Sequence, residues 1–216
     1  MKSEIFYTNS YKKIENKIKS FLNKYPTFLS RDTVSSTRAT GDAIQHILEE
    51  NFQDILGRFS KEYSGKFARR AMADLAFTDR KDLYYVVETK FNMPNLTSVE
   101  RLARFYEDDT NYYAMLMVAY NVVSDVRIFV ERVHFVPIEF LSWDCLTIGA
   151  LGWGQIQIAN ANNIVVNHGC SRKRWMLELC DVLFQFYPRE IEKVKDRIEY
   201  FKRVKKQWQE KKDIWK

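Results

Sequence analysis

Two long runs rich in Val, Ile, Tyr and Phe constrain the fold of this 216-residue chain most strongly. They read YYAMLMVAYNVV at 112–123 and VRIFVERVHFVPI at 126–138, and only Ser124 and Asp125 lie between them. β-Branched and aromatic residues favour strands, and so short a polar link is typical of a turn. The sequence therefore predicts two adjacent strands here.

A second hairpin is predicted upstream. Ala68–Phe77 reads ARRAMADLAF and Leu83–Phe91 reads LYYVVETKF, and the polar segment TDRKD joins them. Two helices are predicted before this hairpin, because apolar residues recur every three or four positions over 11–25 and again from Asp42 to Gly57. The run NLTSVERLARFYED, with Thr97 or Ser98 as its cap, predicts another helix.

The C-terminal third changes character twice. The run LTIGALGWGQIQIANANNIVVN, rich in glycines and amides, predicts an exposed loop with short strand pieces. From Ser171 onward the pattern is helical, and Pro188 is expected to start a second helix. That helix carries one apolar stripe, formed by Ile191, Val194, Ile198, Phe201, Val204 and Trp208. We therefore expect an α/β fold in which a mixed central β-sheet is flanked by α-helices.

Composition excludes several classes of protein. With 46% hydrophobic and 29% charged residues the chain is expected to fold as a compact globule rather than to be disordered. Three separated cysteines indicate reduced thiols and a cytoplasmic location, and no secretory signal or membrane span is expected. The net charge of +6 is concentrated at the termini, with +5 over 1–31 and +5 over 201–216, which favours a polyanionic partner.

The upstream hairpin holds the residues most suited to chemistry. Strand side chains alternate in direction, so Glu88 and Lys90 share one face, and a turn near Arg80 puts Asp74 beside them. Two adjacent carboxylates repel each other unless a cation lies between them, and Mg²⁺ prefers oxygen ligands and accepts phosphate oxygens. The pattern predicts Mg²⁺ bound by Asp74, Glu88 and the carbonyl of Thr89. Alternatively, Glu88 and Lys90 form an ordinary ion pair.

The segments ADLAF and YYVVETKF resemble the PD-(D/E)xK nuclease superfamily, most of all the type II restriction endonucleases. The resemblance covers roughly residues 41–123 and implies a restriction-endonuclease-like core. It implies that Asp74 and Glu88 bind Mg²⁺ while Lys90 assists phosphodiester hydrolysis. Ala73 stands where the motif has proline, and Gln45 stands where many members have a glutamate. Glu49, one turn further along, is an accessory candidate that we expect to face solvent.

The resemblance also implies that segments outside the core read DNA. The candidates for base contacts are amides, which match the hydrogen-bonding edge of adenine: Gln155, Gln157, Asn160, Asn162 and Asn163. The candidates for phosphate contacts are basic: Arg69, Arg70, Arg101, Arg104, Arg172, Lys173 and Arg174. We expect one domain over 1–216, with its core at about 41–140, a DNA-reading segment at 141–170 and C-terminal helices at 171–216.

These features predict a Mg²⁺-dependent, site-specific endonuclease of type II acting on double-stranded DNA. A palindromic target would imply a homodimer, formed through the N-terminal or the C-terminal helix. One alternative is a repair or junction-resolving nuclease of the same fold. Another is a noncatalytic, basic nucleic-acid-binding protein.

Overall fold

The structure, a computed structural model, describes residues 2–24, 36–64, 73–90, 95–124, 127–159 and 164–212. The described helices are α1 (Ser10–Lys24), α2 (Thr37–Leu56), α3 (Val99–Phe105) and α4 (Arg172–Gln209). The described strands are β1 (Glu62–Ser64), β2 (Leu75–Thr78), β3 (Tyr84–Lys90), β4 (Asn95–Ser98), β5 (Asn111–Ser124), β6 (Arg127–Pro137), β7 (Leu146–Gly149) and β8 (Gln155–Ile158). The chain divides into two compact units, Met1–Ser171 and Arg172–Lys216. The predicted one-domain organisation of residues 1–216 stays a prediction.

Five described strands form a mixed sheet in the order β1-β2-β3-β5-β6. The β3–β5 pair is parallel, whereas the other pairs are antiparallel. The two runs that constrain the fold most are β5 and β6, and their pairing extends to Ser124 and Arg127. The predicted α/β class and mixed sheet are therefore confirmed.

Helices cover both faces of this sheet. On one face Phe52 of α2 packs against Phe77 of β2 and Phe135 of β6, with ring centroids 6.4 and 5.8 Å apart. On the other face Phe105 of α3 contacts Tyr113 of β5 edge-on at 6.1 Å. Aromatic rings bury large apolar areas and thus contribute strongly to the core.

Helix α2 begins earlier than predicted, at Thr37 rather than at Asp42. The hydroxyl of Ser36 accepts a hydrogen bond from the Ala39 N–H at 3.3 Å, so this serine is the N-cap. Asp42 and Gln45, which have the spacing of a capping box, lie inside the helix instead. The predicted end is confirmed at Gly57, whose φ of 53° lies in the left-handed region that favours glycine.

The upstream hairpin is present as β2 and β3. Of the predicted strand Ala68–Phe77, residues 68–72 lie outside the described residues, and β2 starts at Leu75. Strand β1 was missed because its three residues show no periodicity. The predicted helix with Thr97 or Ser98 as its cap is confirmed as α3, whose N-cap is Ser98. The residues before it, 95–98, form β4 because they pair with β8.

The amide-rich run forms a second sheet with β4, in the order β4-β8-β7. Strands β7 and β8 are antiparallel, so the predicted short strand pieces are confirmed. Their turn contains Gly152 and Gly154 with φ of 59° and 124°, which L-residues with side chains rarely adopt.

The second unit contains α4, a continuous helix of 38 residues with Pro188 in its interior. The prediction that Pro188 starts a new helix was wrong. Proline removes one helical hydrogen bond. In an exposed helix, the carbonyl that loses its donor can accept a hydrogen bond from water instead. Among the described residues, no helix is both long enough and apolar enough to cross a membrane.

Candidate active site

The hairpin positions Asp74 next to Glu88. Leu75 pairs with Val87, and the Asp74 N–H donates to the Val87 carbonyl at 3.0 Å, so the ladder continues one residue beyond β2. Asp74 therefore lies opposite the stretch of β3 that carries Glu88 and Lys90. All three side chains are half-buried at this end of the hairpin.

Asp74 is held by donors from two elements. Its Oδ2 accepts a hydrogen bond from the Thr89 N–H at 2.8 Å, and its Oδ1 accepts one from Nε2 of Gln45 at 3.0 Å. Helix α2 therefore fixes one carboxylate oxygen while strand β3 fixes the other. The Thr89 backbone faces Asp74, but its role as a metal ligand stays a prediction.

Gln45 joins a second acid to the cluster. The same Nε2 donates to Oε1 of Glu49 at 3.0 Å, one helical turn along α2. Glu49 is half-buried rather than facing solvent as expected, and its main-chain carbonyl accepts from the Tyr63 hydroxyl at 2.6 Å. Gln45 thus bridges Asp74 and Glu49 instead of acting as an isolated substitute for a glutamate.

Glu88 and Lys90 form a short ion pair. Nζ of Lys90 lies 2.6 Å from Oε1 of Glu88, and their side chains are only 15% and 16% exposed. Ion pairs this sheltered cost more desolvation energy than exposed ones and need good geometry to persist. The sequence alternative of an ion pair is therefore realised, but within a cluster that also contains Asp74.

Burial makes the two carboxylates easier to protonate. Burial raises the pKa of Asp74, the Thr89 N–H and Lys90 lower it, and Glu49 adds to the rise. Burial likewise raises the pKa of Glu88, whereas Lys90 lowers it and Asp74 raises it again. Glu88 responds to the charge of Asp74, and both carboxylates respond to the ammonium of Lys90, so the two acids share one electrostatic environment.

The oxygen donors fit a hard divalent cation. Among the described residues, no group of three Asp, Glu, His or Cys side chains is arranged to hold a metal. Mg²⁺ does not need three, since it keeps several waters and is bound by one or two carboxylates together with substrate phosphate. Asp74, Glu88 and the Thr89 carbonyl are a donor set of that type.

Tyr113 is a residue that sequence reasoning missed. Its hydroxyl is fully buried and has no partner of ordinary hydrogen-bond geometry among the described residues. Burial raises the pKa of Tyr113 and the charges of Glu88 and Asp74 raise it further, whereas the Thr97 side chain lowers it, so the phenol lies near both acids and near Thr97. A tyrosine inside an apolar strand looks like core, and therefore no local signal could have marked it.

A cleft of about 470 Å³ opens beside Glu88 and Lys90. Its lining combines the β3 pair with Arg101 of α3 and with Trp153 and Gln155 from the β7–β8 hairpin. Trp153 is 60% exposed, so the core role that is usual for tryptophan does not apply. The structure thus brings two of the predicted DNA-contacting residues, Arg101 and Gln155, to the candidate active site.

Two further predicted DNA contacts are engaged with partners inside the first unit. Nε2 of Gln157 donates to Oδ1 of Asn95 at 2.5 Å, so its amide is engaged within the second sheet. Arg104 forms an exposed ion pair with Glu100. Arg172, Lys173 and Arg174 open helix α4 in the second unit. Five candidates lie outside the described residues: Arg69, Arg70, Asn160, Asn162 and Asn163.

Neither a family model nor a curated protein matches this chain. A functional assignment therefore depends on the chemistry of the site alone.

Proposed function

We propose that this protein is a Mg²⁺-dependent endonuclease that cleaves double-stranded DNA at a specific short sequence, as type II restriction endonucleases do. The observation that carries the proposal is the cluster of Asp74, Glu88 and Lys90 at the end of the β2–β3 hairpin, where burial raises the pKa of both acids. Buried charge of this kind is costly for folding, so it favours a functional role. The restriction-endonuclease-like core is part of the same proposal.

The acids would hold the metal and the amine would act on the phosphate. Asp74 and Glu88, with the Thr89 carbonyl, would bind Mg²⁺, and Gln45 would keep Asp74 oriented through its hydrogen bond of 3.0 Å. Bound Mg²⁺ would supply Lewis-acid stabilisation and a water of lowered pKa. Lys90 would leave Glu88 and stabilise the negative charge that develops on the phosphate.

The cleft beside the site supports a DNA substrate. Arg101 offers a cation for the phosphate backbone, while Gln155 offers an amide that can pair bidentately with a base edge. Trp153 presents a flat, exposed ring that can pack against the sugar or base next to the cleaved bond. The positive net charge of +6 favours association with the same polyanion.

Incubation of supercoiled plasmid with the protein, in Mg²⁺ or in EDTA, tests the proposal. Discrete fragments that form only with Mg²⁺, with ends mapping to one short sequence, are the expected result. A smear, or preference for branched DNA, would replace site-specific cleavage by the repair activity. Retardation of DNA without cleavage would leave a binding protein whose charged cluster is an ion-pair network.

A further inference from the structure

The exposed apolar residues of α4 follow a heptad repeat. Large apolar side chains should be buried, yet this helix exposes a row of them. Written as heptads, position a is Leu177, Phe184, Ile191, Ile198 and Lys205, and position d is Cys180, Tyr187, Val194, Phe201 and Trp208. Among the described large apolar residues of α4 that are exposed, Tyr200 alone falls outside positions a and d.

The length of the pattern is that of a coiled coil. The alternating spacing of three and four residues extends from Leu177 to Trp208 with Lys205 as its charged member, about 48 Å of helix at 1.5 Å per residue. A seam sustained over more than four heptads is typical of two helices that wind around each other. Pro188 lies at position e, on the flank of this seam.

We propose that α4 pairs with α4 of a second copy of this chain as an antiparallel coiled coil. In an antiparallel pair each a residue faces a d residue of the partner. The repeat then aligns fully: Leu177 with Trp208, Phe184 with Phe201, and Ile191 with Val194 of the other copy. Ile198 likewise meets Tyr187, and Lys205 meets Cys180. A two-fold axis relates the copies, as in most homodimers.

Charge determines the direction of the pair. In the antiparallel arrangement the flanking g residues face g residues of the partner. Glu190 of each copy then meets Arg197 of the other, and Leu183 of each copy meets Val204 of the other. Flanking e residues join Asp181 to Lys202. Both charged pairs are therefore attractive, and apolar Leu183 meets apolar Val204.

A parallel pair would be less stable, because it would bring like charges together. It would bring Glu190 beside Lys195 of the partner, but it would also place Arg197 beside Lys202 and stack the two Lys205 side chains inside the seam. Glu190 and Lys202 already have intrahelical partners, Lys193 and Glu199, each at 2.6 Å. The intermolecular charges therefore set direction more than strength, and the exposed seam supplies the affinity. The dimer does not depend on the enzymatic proposal, because every residue that carries it lies on α4.

The mass of the full chain in solution tests the seam. Sedimentation should give twice the 25.8 kDa of one chain. Ile198→Glu should raise the dimer dissociation constant at least about a hundredfold, because it buries an unpaired charge in the seam. Tyr200→Glu, two residues away at position c, should remain dimeric. A monomeric wild type, or a dimer that Ile198→Glu leaves intact, would overturn the proposal.

Arg197→Glu tests direction on a mild variant that keeps the helix face polar. In the antiparallel pair it sets the introduced carboxylate against Glu190 of the partner twice and should weaken the dimer about fivefold. In a parallel pair the new carboxylate would face Lys202 and tighten the dimer instead. The double change Glu190→Arg with Arg197→Glu should restore wild-type affinity. Tightening by Arg197→Glu would refute the antiparallel direction.

Disulfide formation gives an independent measure of direction. Cys180 is exposed, whereas Cys145 and Cys170 are buried. With diamide as the oxidant, Lys205→Cys should give a covalent dimer through Cys180 of one copy and position 205 of the other. The wild type should not, and neither should Lys205→Cys combined with Cys180→Ser. A covalent dimer of the wild type or of the double variant would indicate parallel helices and overturn the proposal.

Discussion

Strand β2 has an aspartate at each end, and the two are used differently. Asp79 is 5% exposed, and its carboxylate accepts hydrogen bonds from the Lys81 N–H, the Leu83 N–H and the Tyr85 hydroxyl, at 2.8, 3.0 and 3.0 Å. Asp74 accepts from Thr89 and Gln45 but also lies near the carboxylates of Glu88 and Glu49. Asp79 is bound by three donors, whereas Asp74 has two donors and also two acids beside it.

The difference separates a structural carboxylate from a candidate catalytic one. Donors directed at Asp79 compensate its burial and close the turn between β2 and β3. At Asp74 the nearby acids oppose its ionisation, so the native fold would gain by protonating it or by binding a cation. Burial of an acid by itself is therefore a weak indicator of function, whereas a buried acid with further acids around it is a stronger one.

The largest expected effect comes from removing the charge of Asp74. Asp74→Asn should lower the cleavage rate about a thousandfold or more, because the metal loses one of its two carboxylates. Stability should stay close to wild type, since the variant also removes repulsion from Glu88. Cleavage rates at saturating Mg²⁺ and urea unfolding measure the two effects.

Asp79→Asn is the matched control at the other end of the strand. It should lower the free energy of unfolding by about 1–3 kcal/mol, since donors that face Asp79 lose a charged acceptor. Cleavage by the folded fraction should remain close to wild type. A comparable loss of cleavage in both variants would contradict the division of roles between the two aspartates.

Removal of the ammonium group should have the next largest effect. Lys90→Ala should reduce cleavage about 100- to 1000-fold, as loss of one preorganised charge at a developing anion does. DNA affinity should be largely retained, which a gel-shift titration in Ca²⁺ would measure. Lys61→Ala is the control, because the Lys61–Asp82 pair at 2.7 Å is exposed and contributes little. Full activity of Lys90→Ala would remove Lys90 from the mechanism.

Two buried tyrosines extend the comparison. Tyr113→Phe should lower cleavage about tenfold, because it removes a hydroxyl that can donate to a water or a carboxylate of the Mg²⁺-bound site. The free energy of unfolding should not fall. Tyr85→Phe removes a hydroxyl that donates to Asp79 at 3.0 Å, so it should cost about 1 kcal/mol and leave cleavage unchanged. Unaltered rates in both variants would exclude Tyr113 from the site.

The smallest effect concerns Glu15 of α1, a half-buried acid whose raised pKa comes from burial rather than from neighbouring acids. Burial raises the pKa of Glu15 to about 7, while the Phe135 N–H at 2.8 Å lowers it. The folded state therefore binds more protons than the unfolded state between pH 4.5 and 7, and this group lowers stability as the pH rises through that range.

Glu15→Gln should remove this dependence. Relative to wild type, its free energy of unfolding should rise by about 1–2 kcal/mol between about pH 4.5 and pH 8, after allowance for solvent screening. Urea unfolding at both pH values gives the difference, and Glu107→Gln, an exposed glutamate, should show no such change. An equal change in both variants would show that the pKa of Glu15 is not raised in the folded protein.

Local patterns in the sequence determined most of the elements. The periodicity over 11–25 predicted α1, and the β-branched runs predicted β3, β5 and β6, because each pattern reports one buried face. The same patterns predicted that Asp74, Glu88 and Lys90 share one end of a hairpin, since that depends only on alternation and turn position. The heptad repeat of α4 is likewise visible in the sequence.

Tertiary structure alone decided the rest. Asn95–Ser98 is a strand because β8 lies beside it, and Glu49 joins the cluster because α2 packs over β2 and Gln45 reaches both acids. Tyr113 is a candidate because the fold buries its hydroxyl near the charge of Glu88. Contacts between residues far apart in the chain leave no local pattern, whereas burial and electrostatics depend on those contacts.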